Sequence, residues 1–464
     1  MASKKIPPGR VHHRNDAPVV DGAYVLYWMQ QSQRAETNHA LEYAIQRANA
    51  RGEPLVVGFG LTDGYPAANL RHYRFMLEGL AETAAAIERR GGAFVLRRGE
   101  PDRVGLELAG DASLVVGDRG YLRHQRSWRE RVAAEAGRAV IEVEADAVVP
   151  VETASEKREW AAHTIRPKIH RHLDEFLVEL ATTPIENREP PAIDGLDPGP
   201  VDALLDGLDV DRSVAPVPEF FEGGTAQARA RLERFLDASL ADYEERGSDP
   251  HDEAVSRLSP YLHFGQVSPV YVALAVQRAS QGRGKPYRDD AEAFLEQLIV
   301  RRELAFNYCW YAREAYDAWR GLPDWARETL AEHAGDPREA VYTKNEMEDG
   351  ETDDSYWNAA MREMRETGYL HNHMRMYWGK RILGWTNTPE YAHRVARELN
   401  DRWFLDGRDP TSYANVGWLF GLHDRPWAER EVYGKVRIMT KSGLERKTDP
   451  EAYVETVERR LNRS

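Results

Sequence analysis

Apolar residues follow two different rhythms along this chain, and the change falls near residue 180. Over the first 150 residues, short β-branched runs alternate with amphipathic stretches. "AYVLYWM" (Ala23–Met29), "PLVVGFGL" (Pro54–Leu61), "AFVLRRG" (Ala93–Gly99), "SLVVGD" (Ser113–Asp118) and "AVIEVEA" (Ala139–Ala145) each read as a strand buried on both faces. Between them, near Thr37–Arg51, Leu70–Arg90, Asp102–Ala109 and His124–Ala136, apolar residues recur every three or four positions, the spacing of one helix face. This alternation predicts a doubly wound α/β domain with a parallel sheet. Such sheets take ligands beyond the C-terminal ends of their strands, where the winding reverses. "GFGLTDG" is not a dinucleotide fingerprint, and no P-loop lysine follows any strand. A flat ligand is compatible with this domain, but its residues do not identify one.

From Thr182 to Pro218 the sequence turns rich in Pro, Gly and Asp with little periodicity, which predicts a linker crossing the surface. Beyond Phe220 the helical rhythm takes over, in "TAQARARLERFLDASLADYEER", "DAEAFLEQLIVRRELAFNYCWYAR", "SYWNAAMREMRET", "HMRMYWGKRILGW" and "PEYAHRVARELNDRWFLDG". No internal repeat or low-complexity tract interrupts it. Three units follow: an α/β domain over 20–181, a linker over 182–218 and a helical domain over 219–464.

Composition adds constraints. A chain of 464 residues exceeds what one core usually absorbs. The single cysteine, Cys309, excludes an internal disulfide and a cysteine zinc cluster. The basic N-terminus lacks the apolar run of a secretory signal and no segment approaches a membrane span, so a soluble intracellular protein (cytoplasm and nucleoid, or nucleus) is expected. The net charge of −14 excludes coating nucleic acid through bulk attraction, but leaves room for a local basic groove. The paired histidines His12–His13, His170–His172 and His371–His373 lack carboxylate or cysteine companions at ligand spacing, so no metal is assigned.

Three stretches and two single residues carry candidate chemistry. "VSRLSPYLHFGQVSP" (Val255–Pro269) places Ser256, Arg257, Leu258 and Ser259 ahead of a helix start, which suits a phosphate and equally suits plain N-capping. Ser355–Trp385 contains Trp357, Trp378 and Trp385; the last two are seven residues apart, hence on one helix face, either as core or as an electron path. Glu296 and Asn400 lie on helical patterns and would, by themselves, be ordinary helix residues. His423–Lys447 carries seven Lys or Arg against four acidic residues, interleaved with Trp427 and Tyr433, a pattern suited to tracking a phosphate backbone.

"SRLSPYLHFGQVS" resembles the flavin-diphosphate loop of the photolyase and cryptochrome family. "VLYWMQQSQRAETNHAL", "MRMYWGKRILGWTNTPEYA" and "NDRWFLDGRDPTSYANVGWLFGLHDRPW" resemble the class II cyclobutane pyrimidine dimer photolyases in particular. The matches run in the expected order from about residue 24 to about residue 440. The resemblance implies a Rossmann-like antenna domain followed by an all-α domain holding FAD bent into a U. It implies FAD contacts from Tyr243, Ser256, Arg257, Leu258 and Ser259, with Arg375 and Asp406 as an ion pair beside the flavin and Asn400 facing its N5 atom. It also makes Glu296 the carboxyl that hydrogen-bonds the lesion, with Trp418 and Met376 beside it, and leaves Val300 where some relatives place a tryptophan.

The same resemblance implies photoreduction through Trp378 nearest the flavin, Trp357 in the middle and Trp385 at the surface end. Damaged DNA is the expected partner, with Arg425, Lys435, Arg437 and Lys441 on its backbone, and a monomer is expected. An antenna chromophore, 8-hydroxy-deazaflavin or methenyl-folate, is expected in the α/β domain. The competing readings are a cryptochrome-like photoreceptor and a (6-4) photoproduct enzyme. The end of the chain at Ser464, soon after the family core, favours repair over signalling.

Overall fold

In the computed structural model, which describes residues 5–252 and 254–461, a six-stranded sheet is followed by a helical assembly. The first residues of the basic N-terminus and the chain end at Ser464 lie outside the described residues. The strands are β1 (Val11–His13), β2 (Tyr24–Trp28), β3 (Leu55–Leu61), β4 (Ala93–Arg98), β5 (Ala112–Asp118) and β6 (Val140–Val143), in the order β1-β6-β5-β2-β3-β4. The five expected strands pair in parallel. The short β1, unforeseen in the sequence, adds an antiparallel edge against β6, pairing Val11 with Val143. The winding reverses between β2 and β5.

Helices α1 (His39–Arg51), α2 (Leu70–Arg90), α3 (Pro101–Ala109) and α4 (Arg123–Glu135) cover the two faces. The start of α1 is fixed by Asn38, whose side-chain oxygen accepts from the backbone N–H groups of Ala40 and Leu41 at 3.0 and 3.2 Å. Gly52 ends it in the left-handed region, with φ at 66°. At the switch point the Asp118 carboxylate accepts from the N–H groups of Gln30, Gln31 and Ser32 at 3.0, 2.8 and 2.8 Å. That pins the loop leaving β2.

The linker is less bare than its composition suggests. It contains the helix Val201–Asp206, and Ile185, Leu205 and Leu208 pack into the core on one face of the sheet, while Val214 and Val217 join the helical cores. Pro/Gly/Asp richness hid these anchors because they are spaced without a period.

Buried polar contacts lock the sheet region against the helices. Arg71 of α2 donates to the carbonyls of Ala215, Arg365 and Trp403 at 2.9, 2.5 and 2.8 Å. Arg34 reaches Asp146 at 2.6 Å and the Gly265 carbonyl at 2.8 Å. The Glu303 carboxyl, which burial pushes up to about 8, accepts from the N–H of Val148 at 2.5 Å. Buried groups bonded in this way set the relative placement of the two halves, and so of any cavity between them. Among the described residues no helix is long and apolar enough to cross a membrane.

Candidate active site

Three hollows organise the molecule. The first lies over the C-terminal ends of β2, β3 and β5, has about 650 Å³ of empty space, and is lined by Gln30, Gln31, Thr62, Tyr65, Gln125 and Trp128, among others. The second is a cavity among the C-terminal helices, and the third a larger groove beside it. Cavity and groove share Tyr243, Gln297, Tyr369 and Asn372 as a common wall.

The cavity brings together Tyr243, Ser256, Leu258, Ser259, Arg375 and Asp406, contributed by four separate segments. The helix begun at Ser259 is only five residues long, and no side chain caps it. The serine hydroxyls are therefore not spent on capping that helix, and both residues line the cavity. Arg257 holds a left-handed backbone, φ 51°, in this turn. A non-glycine residue pays a strain cost there, a feature concentrated at ligand-binding turns. Its guanidinium lies 5.3 Å from the centre of the Tyr369 ring.

Arg375 and Asp406 are both buried, and the guanidinium Nη2 donates to the two carboxylate oxygens at 3.0 and 3.2 Å. The same guanidinium stacks on Phe404 at 3.8 Å. Asn400 is buried one layer further out and does not line the cavity: its amide bonds Ser412 Oγ at 2.7 Å and Asp401 at 2.9 Å. Ser412 does line it. Burial pushes the Asp401 carboxyl up to about 6, partly offset by its bond from Asn400.

The three indoles are contiguous. Trp378 and Trp385 come from the helix Asn372–Trp385, and Trp357, from Ser355–Thr367, lies between them. Trp357 is nearly parallel to Trp378, with centroids 6.4 Å apart and planes at 9°, and meets Trp385 edge-on at 5.3 Å. The Trp357 indole N–H donates to the Trp378 carbonyl at 2.9 Å. One expectation needs correcting: Trp385 is not at the surface but 2% exposed. Tyr342 covers it, edge-on at 5.1 Å, with its own N–H bonded to the Trp385 carbonyl, and Arg381 stacks on the indole at 4.5 Å. The half-buried Tyr342, whose hydroxyl donates to Asp353 at 2.9 Å, is the next aromatic toward solvent.

Glu296, Met376 and Trp418 line the groove. Glu296 opens a π-helical turn, Glu296–Arg301, inside an otherwise α-helical run. The wider turn breaks the alignment of positions four apart, so Val300 does not share a face with Glu296. Val300 is instead 1% exposed within the helical core and does not line the groove. Arg166, which periodicity and motif reading passed over, reaches Glu296 with Nη2 and Nε at 2.7 and 3.0 Å. Arg301 Nε approaches the same carboxylate at 3.5 Å.

Of the four basic residues expected on DNA, Arg437 lines the groove. Arg425 is exposed, and both guanidiniums flank the exposed Trp427, at 5.1 and 4.9 Å from its ring centre. Lys435 and Lys441 are not part of the lining. Lys441 opens the helix Lys441–Glu445, and its ammonium sits over Tyr356 at 4.6 Å. Arg430, Arg446 and Lys447 line the groove in their place.

The fold is shared with solved photolyases and cryptochromes. A bacterial class III photolyase from Agrobacterium tumefaciens superposes with a TM-score of 0.72 at 18% identity over 96% of this chain and 89% of its own. A Synechocystis cryptochrome gives 0.70 at 16% identity over 96% and 90%. The DNA photolyase family model matches residues 25–190. The deoxyribodipyrimidine photo-lyase of Methanothermobacter thermautotrophicus is 45% identical over 97% of this chain and 98% of its own length. The enzymes of the same name from Oryza sativa and Potorous tridactylus are each 39% identical, over 96% and 91% of this chain and 89% and 79% of theirs. This chain belongs to the DNA photolyase family.

Proposed function

We propose that this protein uses light to reverse cyclobutane pyrimidine dimers in DNA, as a class II photolyase. The observation that carries the reading is the wall common to the C-terminal cavity and the basic groove. A planar group in one and an extruded base in the other are then close neighbours.

The cavity suits FAD by the chemistry of its lining. Free serine hydroxyls and a strained turn suit a diphosphate, Tyr243 and Tyr369 suit flat rings, and a buried ion pair suits a polar heterocycle. Bound there, FAD supplies light absorption and a reducing electron. Ser256 and Ser259 hold its phosphates, and the Arg375–Asp406 pair fixes the charge beside its ring system. Asn400, through Ser412, sets the polarity of that wall. Trp385, Trp357 and Trp378 relay electrons inward from the solvent side.

In the groove, Trp418 and Met376 pack the extruded pyrimidines, and Glu296 accepts a hydrogen bond from a pyrimidine N–H, which holds the lesion in place for electron transfer. Arg437, Arg446 and the Arg425–Trp427–Arg437 stack follow the DNA backbone and fill the gap left by the flipped bases. The hollow over the sheet, walled by amides and aromatic rings, suits a flat antenna pigment of the deazaflavin or folate type. On this reading residues 20–181 are the antenna domain and 219–464 the catalytic one.

Glu296→Ala is expected to lower repair per absorbed photon about tenfold, equivalent to one charge-assisted hydrogen bond of ~1.5 kcal/mol. Affinity for dimer-containing DNA should change far less. Titration and steady illumination together check this; a collapse of affinity with an unchanged yield removes the role. Arg437→Ala and Arg446→Ala should each weaken binding to any sequence and flatten the dependence of log K on log salt by about 0.7–0.9. An unchanged slope takes that residue out of the interface.

A further inference from the structure

Glu296 has to present a carboxylate to the groove in one fixed pose, and nothing on its own helix is suited to hold it. A glutamate has three side-chain torsions, and freezing them costs free energy at the moment of reaction unless it is done beforehand. The π-helical turn Glu296–Arg301 re-aims the residue, but leaves its side chain free to rotate. The only neighbour on that segment that approaches it is Arg301, at 3.5 Å and through a single nitrogen.

The missing restraint comes from 130 positions away. Arg166 stands on the helix Ala162–His170, which packs against the π turn, and grips both oxygens of Glu296 at 2.7 and 3.0 Å. This is the planar fork-to-carboxylate match that arginine makes and lysine does not. Glu296 lines the groove and Arg166 does not, so the fork closes on the carboxylate from behind. The hydrogen bond to Glu296 also raises the Arg166 pKa, so the fork keeps its charge throughout the working range. An ionised carboxylate only accepts hydrogen bonds and has about four lone-pair sites. With two taken by Arg166, the carboxylate of this groove-lining residue still has sites left to accept from a ligand.

We infer that Arg166 is the positioning residue of this site. It never touches the lesion; it fixes the pose of Glu296, so that the carboxylate meets the pyrimidine edge as a ready-made acceptor. The inference rests on Glu296 being the groove carboxylate that contacts the lesion. It adds that this contact depends on a residue far away in sequence, whose helix packs Ile165 and Ile169 into the same core as Leu298 and Ile299 of the π turn, which makes that packing part of the catalytic geometry.

The experiment is a double-mutant cycle on flavin-loaded, chemically reduced protein, reading repair per absorbed photon at saturating dimer-containing oligonucleotide alongside the dissociation constant. The variants are Arg166→Gln, Arg166→Lys, Glu296→Gln and the double Arg166→Gln/Glu296→Gln. Arg166→Gln should lower the yield by roughly threefold or more, with affinity and flavin content unchanged, and Arg166→Lys should recover part of the loss through a single bond. In the Glu296→Gln background, removing Arg166 should cost nothing further. The proposal is overturned if the two losses multiply independently, if Arg166→Gln changes affinity and not yield, or if its loss follows flavin content. Should Glu296→Gln itself leave the yield intact, the lesion-contact reading of Glu296 fails, which is a different result from the failure of Arg166 alone.

Discussion

Trp378→Phe should leave the fold intact and slow light-driven reduction of the bound flavin by at least about tenfold, ~1.4 kcal/mol of added barrier. Phenylalanine keeps most of the apolar bulk. The indole N–H it removes is buried without a hydrogen-bond partner among the described residues, so no such bond is lost. A structural cost of about 1–2 kcal/mol from the smaller ring is expected. What disappears is the easily oxidised ring, the one nearly parallel to Trp357 at 6.4 Å. Electron transfer across that gap must then be made in one longer step. Transient absorption after a blue pulse reads the rate directly, and recovery as fast as in the unmodified protein would refute the relay. Repair by protein reduced chemically beforehand should be unaffected.

Asp406→Ala should be the most destabilising single change in the cavity, by about 3–5 kcal/mol. The Arg375 guanidinium, stacked on Phe404 and largely buried, would keep its charge and lose its only buried carboxylate partner among the described residues. Breaking one side of a buried pair costs far more than removing both. Arg375→Met/Asp406→Ala should therefore recover most of the stability, measured as the denaturation midpoint. It should not recover flavin retention on gel filtration, because the ion pair beside the ring system is gone in both variants. A single variant as stable and as yellow as the parent would show that the pair has neither role.

The strands and helices around the sheet could be read from the sequence because each is a local pattern. Runs such as "PLVVGFGL" are buried on both faces, and α2 matches its predicted span, Leu70–Arg90, residue for residue. β1 was missed since three residues, "VHH", offer no alternation to detect. The features that escaped are those created by the folded chain. Nothing in "MRMYWGKRILGW" shows that Tyr342 will cover Trp385, or that one π turn will rotate Val300 into the core. Lys435 and Lys441 looked as suited to DNA as Arg446, because charge counts ignore where a short helix turns its first residue. Arg166 was invisible for the same reason: its partner is 130 residues distant, and the pairing exists only once its helix has packed against the π turn.

The most direct test of the account combines the flavin cavity, the groove and their common wall in one assay. The purified protein, loaded with FAD and reduced, is mixed with an oligonucleotide carrying a single cyclobutane thymine dimer and divided between blue light and darkness. The account predicts restored thymines in the lit sample alone, in proportion to photons absorbed by the flavin. Dimers that persist under illumination, with the flavin bound and reduced and the DNA bound, would contradict it.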